Sequence, residues 1–453
     1  MNSMSYWQQM SPGLAVLHFA PFILLLFFIA TLPFISFTAG WWEHMRNKFL
    51  VAAVCAGAGI FLYVHPTGDY GKILDTYLDY LAFLVLLGSL FTVAGGIHIT
   101  GAFAGLPYIN TIFLGIGAIL SSFLGTTGAS MVLIRPLLRA NQFRKHKSHV
   151  IVFFIFIVSN CGGLLTPLGD PPLYLGFLKG VPFWWTFYRL IPIWGLTLLI
   201  LLFVFHLIDD RIFDNEETHV RGSLIQTIQE AEQPIHIKGW ANVFCLGGIL
   251  ITVMVSGYWL NPLLAAHCGS CASAFSRLIQ IAVMLLFAFI SYKKTPAVIH
   301  EENQFGFGPI IEVAVLFFGI FGAMIPALTL LEAKGQTIGI THPWAYFWLS
   351  GFLSSFLDNA PTYLSYASLA AGQHGISTDH LGELASRFPQ ILSAISCGSV
   401  FMGANSYIGN GPNFMVRAIA EQARVKMPSF GGYMLWSGAV LIPVFILMTF
   451  IFF

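Results

Sequence analysis

The sequence predicts an all-α polytopic membrane protein made of two inverted repeats of five crossings each. Every repeat carries a re-entrant hairpin and an unwound, discontinuous helix. Three observations lead there. The chain of 453 residues is 57% hydrophobic and 9% charged, with 43 Phe, whereas a soluble domain carries about 25% charged residues. Apolar runs near the roughly 20 residues needed to cross a bilayer recur through both halves. Finally, Leu120-Ser121-Ser122-Phe123-Leu124, followed by Gly125-Thr126-Thr127-Gly128-Ala129, returns 233 positions later as Leu353-Ser354-Ser355-Phe356-Leu357, followed by Asp358-Asn359-Ala360-Pro361-Thr362. Five identical residues, each copy ending in a helix break, read as one unit duplicated.

Taken in order, crossings are expected near 15–39, 49–64 and 77–100, then a broken hairpin at 108–140, an interrupted helix at 148–180 and a crossing at 187–208. These make a first repeat over 1–208. A polar stretch at 209–239 holds the densest group of acidic residues and reads as a solvated cytoplasmic linker. The second repeat, 240–453, runs through 240–260, 278–292 and 308–331, a hairpin at 343–372, an interrupted helix at 388–425 and a last crossing at 432–453. A hairpin that leaves on the side it entered gives each half an odd number of crossings, which inverts one half relative to the other. The crossings at 15–64 and 240–292 are read as lacking helix breaks and are expected to form the scaffold.

Charge supports the hairpins. With them, one side receives Arg46, Lys48, Arg135, Arg139, Arg144, Lys145, Lys147, Arg211, Arg221, Lys238, Lys293, Lys294, Arg417, Arg424 and Lys426. The other receives Lys72, Lys179, Arg189, Arg277, Lys334 and Arg387. Fifteen against six makes the first side cytoplasmic and places both termini outside. Net charge near zero says nothing of nucleic-acid or acidic partners, and no nucleic-acid partner is expected of a membrane protein of this kind. The first 14 residues carry no Lys or Arg, so the opening run is expected to stay as a membrane helix rather than be cleaved as a signal peptide. Six cysteines are scattered. Cys268-Gly-Ser-Cys271 after His267 is read as a disulfide or two idle thiols, since zinc needs a second ligand pair.

The interrupted helices are the second repeated feature. Ser159 to Pro172 reads SNCGGLLTPLGDPP, and an interior proline costs a helix about 3 kcal/mol. Ser399, Gly403, Ser406, Gly409 and Pro412 follow Ser159, Gly163, Thr166, Gly169 and Pro172 by 240 positions, Asn410 matches Asp170, and Asn405 and Asn413 add amides. Unwound backbone at membrane depth exposes carbonyls and helix ends. With Ser, Thr and Asn oxygens alongside, it suits a hard cation such as sodium rather than a transition metal. Two sites are expected, one from Thr126, Thr127, Ser159, Asn160 and Thr166, the other from Asp358, Asn359, Thr362, Asn405 and Ser406, with Asn410 adding an amide. The alternative is that these groups only cap broken helices.

Asp358 and Asp170 are the strongest candidates for chemistry, because a carboxylate able to hold either a proton or a sodium ion produces exchange by competition. Asp358 ranks first, because an acid at Asp170 also suits the N-cap of a half-helix opening at Pro171-Pro172. Asp75 and Asp79 are placed at a span end and Glu312 at a cytoplasmic mouth. His98 is read as a satisfied packing residue, and His206, His219 and His236 as solvated. An intramembrane aspartyl protease built on Asp170 and Asp358 is the reading from another class. The two acids occupy non-equivalent places in the duplicated scaffold, which argues against it.

The run Ser159 to Val181, with GTTGASMVLIRPLLRAN before it and LDNAP later, resembles the ion transporter superfamily. It is most similar to NhaD-type sodium/proton antiporters and the related citrate-transporter family, from about Phe19 to the end of the chain. The resemblance implies the fold of the divalent anion/sodium symporters, a homodimer, an elevator-type movement and a bacterial inner membrane. Where the dicarboxylate symporters carry Ser-Asn-Thr at their hairpin tips, this chain has Gly125-Thr126-Thr127-Gly128 and Asp358-Asn359-Ala360-Pro361-Thr362. An acidic tip disfavours direct contact with a citrate carboxylate. The expectation is therefore sodium/proton antiport without a cofactor, with sodium- or proton-coupled carboxylate uptake as the alternative and a small solute such as arsenite behind it.

Overall fold

The computed structural model describes residues 3–33, 35–101, 103, 105–216 and 236–453. Among them, ten helical stretches are long and apolar enough to cross a membrane. Three open the chain: Pro12–Thr31, Met45–Thr67 and Gly71–Gly95. Met45–Thr67 lies along Gly308–Lys334, where Gly59 sits against Gly322 and Ala323, and Ala52 and Ala56 against Gly319 and Gly322. Lipid offers helices no hydrophobic drive to associate, so such seams depend on small residues that let backbones approach. Gly71–Gly95 packs on Ala272–Lys294, which also contacts Ala241–Val255. These elements form one packed group. The helix from Ala241 is not free of interruption, since it passes through a π turn at Ser256–Leu260 before Asn261–Cys268.

Both expected hairpins are present. Pro107–Leu124 and Thr126–Ala140 meet at Gly125, whose φ of 76° with ψ of 149° belongs to glycine. Their far ends close on each other, because Asn110 and Asn141 exchange amide bonds of 2.9 and 3.0 Å. Pro343–Ser354 and Asn359–Gln373 make the second hairpin, closed at its base by Tyr346 Oη donating to Gln373 Oε1 at 2.5 Å.

Each interrupted helix falls into three pieces: Ser148–Ile157, Cys161–Leu165 and Pro171–Leu178 in the first, and Pro389–Phe401, Met402–Asn405 and Gly411–Gln422 in the second. The two unwound stretches match in backbone conformation. Thr166 and Ser406 lie at φ/ψ of −134°/158° and −138°/167°, and Asp170 and Asn410 at −143°/143° and −149°/140°. Gly169 crosses the backbone of Gly163 as Gly409 crosses that of Gly403, too closely for any side chain.

The stretch 209–239 is not solvated throughout. The helix Phe183–Asp214 continues through its first six residues, and Asp209 is fully buried with Arg144 at 2.6 Å, His149 at 2.7 Å and Asn110 at 3.0 Å. At the other end His236–Lys238 pairs antiparallel with His98–Thr100. Residues 217–235, with Arg221 and His219, lie outside the described residues. His206 is half-buried beside Thr111 rather than solvated. His98 is buried against Asn303 at 2.7 Å, and Glu312 pairs with Lys48. Cys271 is disulfide-bonded, while Cys55, Cys161, Cys245 and Cys397 are free and buried.

Candidate functional site

The two hairpin tips and the two unwound stretches converge, and their polar groups pair across the halves of the chain. Thr126 opens the second arm of the first hairpin, and its amide is bonded to Gly169 O at 2.9 Å. That bond ties the tip to the unwound backbone just before Asp170. Thr126 Oγ1 then donates to Asp170 Oδ1 at 3.1 Å. From the opposite hairpin Asn359 Nδ2 donates to Asp170 Oδ2 at 2.7 Å. The Asn359 amide is oriented by Ser354 Oγ, which donates to its Oδ1 at 2.6 Å and leaves Nδ2 for the carboxylate.

Asp170 is 1% exposed. Among the described residues, no lysine, arginine or histidine forms an ion pair with it. A charge taken out of water needs a partner of opposite sign or it neutralises. Here neutral donors supply two hydrogen bonds, and among the described residues no side chain supplies the opposite charge.

The second shared cluster is a chain of amides. Asn160 Nδ2 donates to Ile155 O at 2.8 Å and to Asn413 Oδ1 at 2.7 Å. Asn413 Nδ2 donates to Gly403 O and Ser406 O, both at 2.9 Å. Asn410 Nδ2 donates to Asn160 Oδ1 at 3.1 Å and to Ser159 O at 3.2 Å. Carbonyls released by the breaks are thereby satisfied inside protein, as membrane depth requires.

A third set holds each tip to its own unwound stretch. Thr166 Oγ1 donates to Ser122 O, and Ser406 Oγ donates to Ser355 O at 2.5 Å. The residues of these two bonds correspond by the same 233 and 240 offsets found in the sequence.

The expected residues are thus gathered, but differently from expectation. Asn359 serves Asp170 in the other half, and Asn160 serves Asn410 and Asn413, so the grouping of donors by half does not describe the pairing. Asp170 makes no side-chain capping bond to the half-helix it precedes, whereas Asp358 Oδ1 accepts from Ala360 N at 3.1 Å as an N-cap and is partly exposed. Thr362 Oγ1 donates to Asp358 O at 3.1 Å, Asn405 Nδ2 to Ser355 Oγ at 2.9 Å, and Ser159 shares a 2.8 Å bond with Ser130. Thr127 is half-buried beside Thr126 at the tip.

Two site members are not singled out by the sequence: Asn413 reads only as an added amide and Ser354 only as part of the repeated run. Away from the focus, Asp79, expected at a span end, is 2% exposed and joined to Lys179 at 2.8 Å and Arg277 at 3.0 Å. Spacing within one half cannot reveal a partner contributed by the other.

Hairpins and interrupted helices that place buried oxygens and amides at one focus, within a chain of many membrane-length helices, define a multi-pass membrane transporter. A family model described as "Putative citrate transport" matches residues 11–453, and the chain belongs to that family. A search of curated proteins finds no match. The family is one of transporters and not of enzymes, which removes the protease reading.

Proposed function

We propose that the protein exchanges sodium for protons across the membrane by alternating access, with the Asp170 carboxylate holding either ion. The observation that carries this reading is the setting of Asp170, buried between Thr126 and Asn359 with neutral donors alone. A site that takes up one positive charge and surrenders it to a competitor performs exchange. Deep in the fold such an acid is costly unless it carries an ion.

The proposal includes two inverted repeats with boundaries at 1–208 and 240–453, supported by the matched backbone angles and by the Thr166–Ser122 and Ser406–Ser355 bonds. It includes an elevator-type movement of the hairpins and interrupted helices against a scaffold formed by Pro12–Thr31, Met45–Thr67, Gly71–Gly95 and the segment 241–334. A homodimer, a bacterial inner membrane and outward-facing termini rest on resemblance and on the distribution of Lys and Arg.

A second reading is sodium- or proton-coupled uptake of citrate or a related carboxylate. The family description favours it. So does the start of four helices at the focus, at Thr126, Pro171, Asn359 and Gly411, because helix N-termini attract anions. Against it, no basic side chain among the described residues pairs with Asp170, and Asp358 sits at a tip.

Purified protein in liposomes with a preset proton gradient and a pH-sensitive dye tests both. Proton movement on addition of sodium alone supports antiport. Uptake of labelled citrate, with no response to sodium alone, replaces it with the second reading.

A further inference from the structure

We propose that Lys72, Asp379, Lys179, Asp79 and Arg277 form a latch between the moving body and the scaffold, and that transport requires it to open. The inference rests on the two-body reading proposed above. The five side chains make a line of alternating charge: Lys72 to Asp379 at 2.5 Å, Asp379 to Lys179 at 2.7 Å, Lys179 to Asp79 at 2.8 Å and Asp79 to Arg277 at 3.0 Å. Lys72, Asp79 and Arg277 stand on helices assigned to the scaffold. Lys179 closes the half-helix Pro171–Leu178, and Asp379 lies in the turn after the second hairpin. The Lys72–Asp379 and Lys179–Asp79 bonds therefore cross the sliding boundary. Two further hydrogen bonds cross with them, Gln280 Nε2 to Tyr174 Oη at 2.8 Å and Thr378 N to the Glu332 carboxylate at 3.1 Å.

The arrangement is suited to opening rather than to permanent closure. A cavity of about 540 Å³ lies beside it, lined by Lys179, Asp379, Arg277 and Gln280. Sliding by more than a few ångströms separates the crossing pairs, and the separated charges need water at once, because a buried ion left alone is costly. The cavity provides the space for that water. The half-helix also links the latch to the site, since Asp170 precedes its first residue and Lys179 follows its last. Its eight residues span about 12 Å as a rigid rod, so a displacement that follows occupancy at Asp170 reaches Lys179 directly.

The test introduces Thr76→Cys, a position 8% exposed that lines the crevice with Lys72, Asp79 and Lys179. Its rate of labelling by a membrane-impermeant maleimide is measured in the full-length protein, then with Asp379→Asn and, separately, with Lys72→Gln. Each variant breaks the same crossing bond from a different side, so one that is not recovered folded leaves the other to report. The expected result is labelling about fivefold faster, the factor that corresponds to losing one partly exposed ion pair, with Cys55, Cys161, Cys245 and Cys397 still unlabelled. Unchanged labelling in the recovered variants overturns the latch, as does labelling of the four buried cysteines, which marks a loosened fold. The readout needs no substrate, so absent exchange in liposomes would refute the proposed function without touching this result.

Discussion

Asn359 of the second hairpin donates to Asp170 of the first interrupted helix at 2.7 Å, so an amide from one half of the chain fixes the carboxylate of the other. Ser354 holds that amide in place, and Thr126 completes the grip from the first hairpin. The pairing makes Asp170 sensitive to the position of either tip. It follows that Asn359→Ala, with Asp170 intact, should weaken ion binding. Loss of a hydrogen bond to a charged group costs about 1.5–3 kcal/mol, so the half-saturating sodium concentration should rise at least tenfold in the liposome assay. An unchanged sodium dependence would contradict the role given to this bond.

Asn160 should be important for stability. Removing its side chain in Asn160→Ala leaves Asn413 Oδ1 and the Asn410 amide short of a buried partner, at a cost of about 1–3 kcal/mol for each group left unpaired. The thermal unfolding midpoint in detergent should fall clearly. Asn160→Gln restores the amide but not its reach, and it is expected to recover only part of the loss.

The all-α membrane-spanning character of the chain and the positions of its helix breaks were legible in the sequence. Glycine and proline interrupt apolar runs at the same offsets in both halves, and backbone that cannot stay helical in hydrocarbon has few alternatives to a hairpin or an unwound stretch. Pairing was much less legible. Asp170 looked like a helix cap because Pro171-Pro172 follows it, and Asp358 looked like the carrier because it opens the second break. The capping geometry differs from that expectation, since Asp358 caps through Ala360 while Asp170 points to donors that lie far away in sequence. Asp79 and Asp209 were hidden for the same reason. Each is a buried acid whose basic partners, Lys179, Arg277 and Arg144, come from other elements.

The tip at Gly125 should not accept a side chain. With φ at 76° and ψ at 149°, a non-glycine residue there is strained by about 1–3 kcal/mol. Gly125→Ala should lower transport more than expression, measured as initial exchange rate per folded protein. The equivalent position in the second hairpin holds Asp358 at φ −60° and carries no such restriction.

The ion pair between Arg144 and Asp209, with both side chains fully buried, should not tolerate loss of one partner. An uncompensated buried charge costs about 3–5 kcal/mol, so Asp209→Asn and Arg144→Met should each lower the unfolding midpoint markedly in detergent. The double variant should recover part of the loss, because it leaves neither charge alone.

Acid should weaken the contacts of Asp379. Partial burial works against its charge, but the ammonium groups of Lys179 and Lys72 outweigh it and hold the carboxyl below the ordinary aspartate value. A carboxyl depressed in the folded state stabilises it above the ordinary value of about 3.9, and that contribution is lost as pH falls through the lower, folded value. The unfolding midpoints of the parent and Asp379→Asn should therefore differ at pH 7, and the difference should begin to shrink only as pH falls below about 3.9. The difference should be small, because the Asp379 side chain is 43% exposed and solvent screens the pair. A difference that grows on acidification would contradict the assignment.

The central claim is that Asp170 holds the transported charge, and the most direct measurement compares Asp170→Asn with Asp358→Asn in liposomes loaded with a proton gradient. Asparagine caps a helix about as well as aspartate, so Asp358→Asn should keep sodium-driven proton movement at a reduced rate, while Asp170→Asn should abolish it. Exchange that survives in Asp170→Asn and disappears in Asp358→Asn would contradict the account and return the carrier to the hairpin tip.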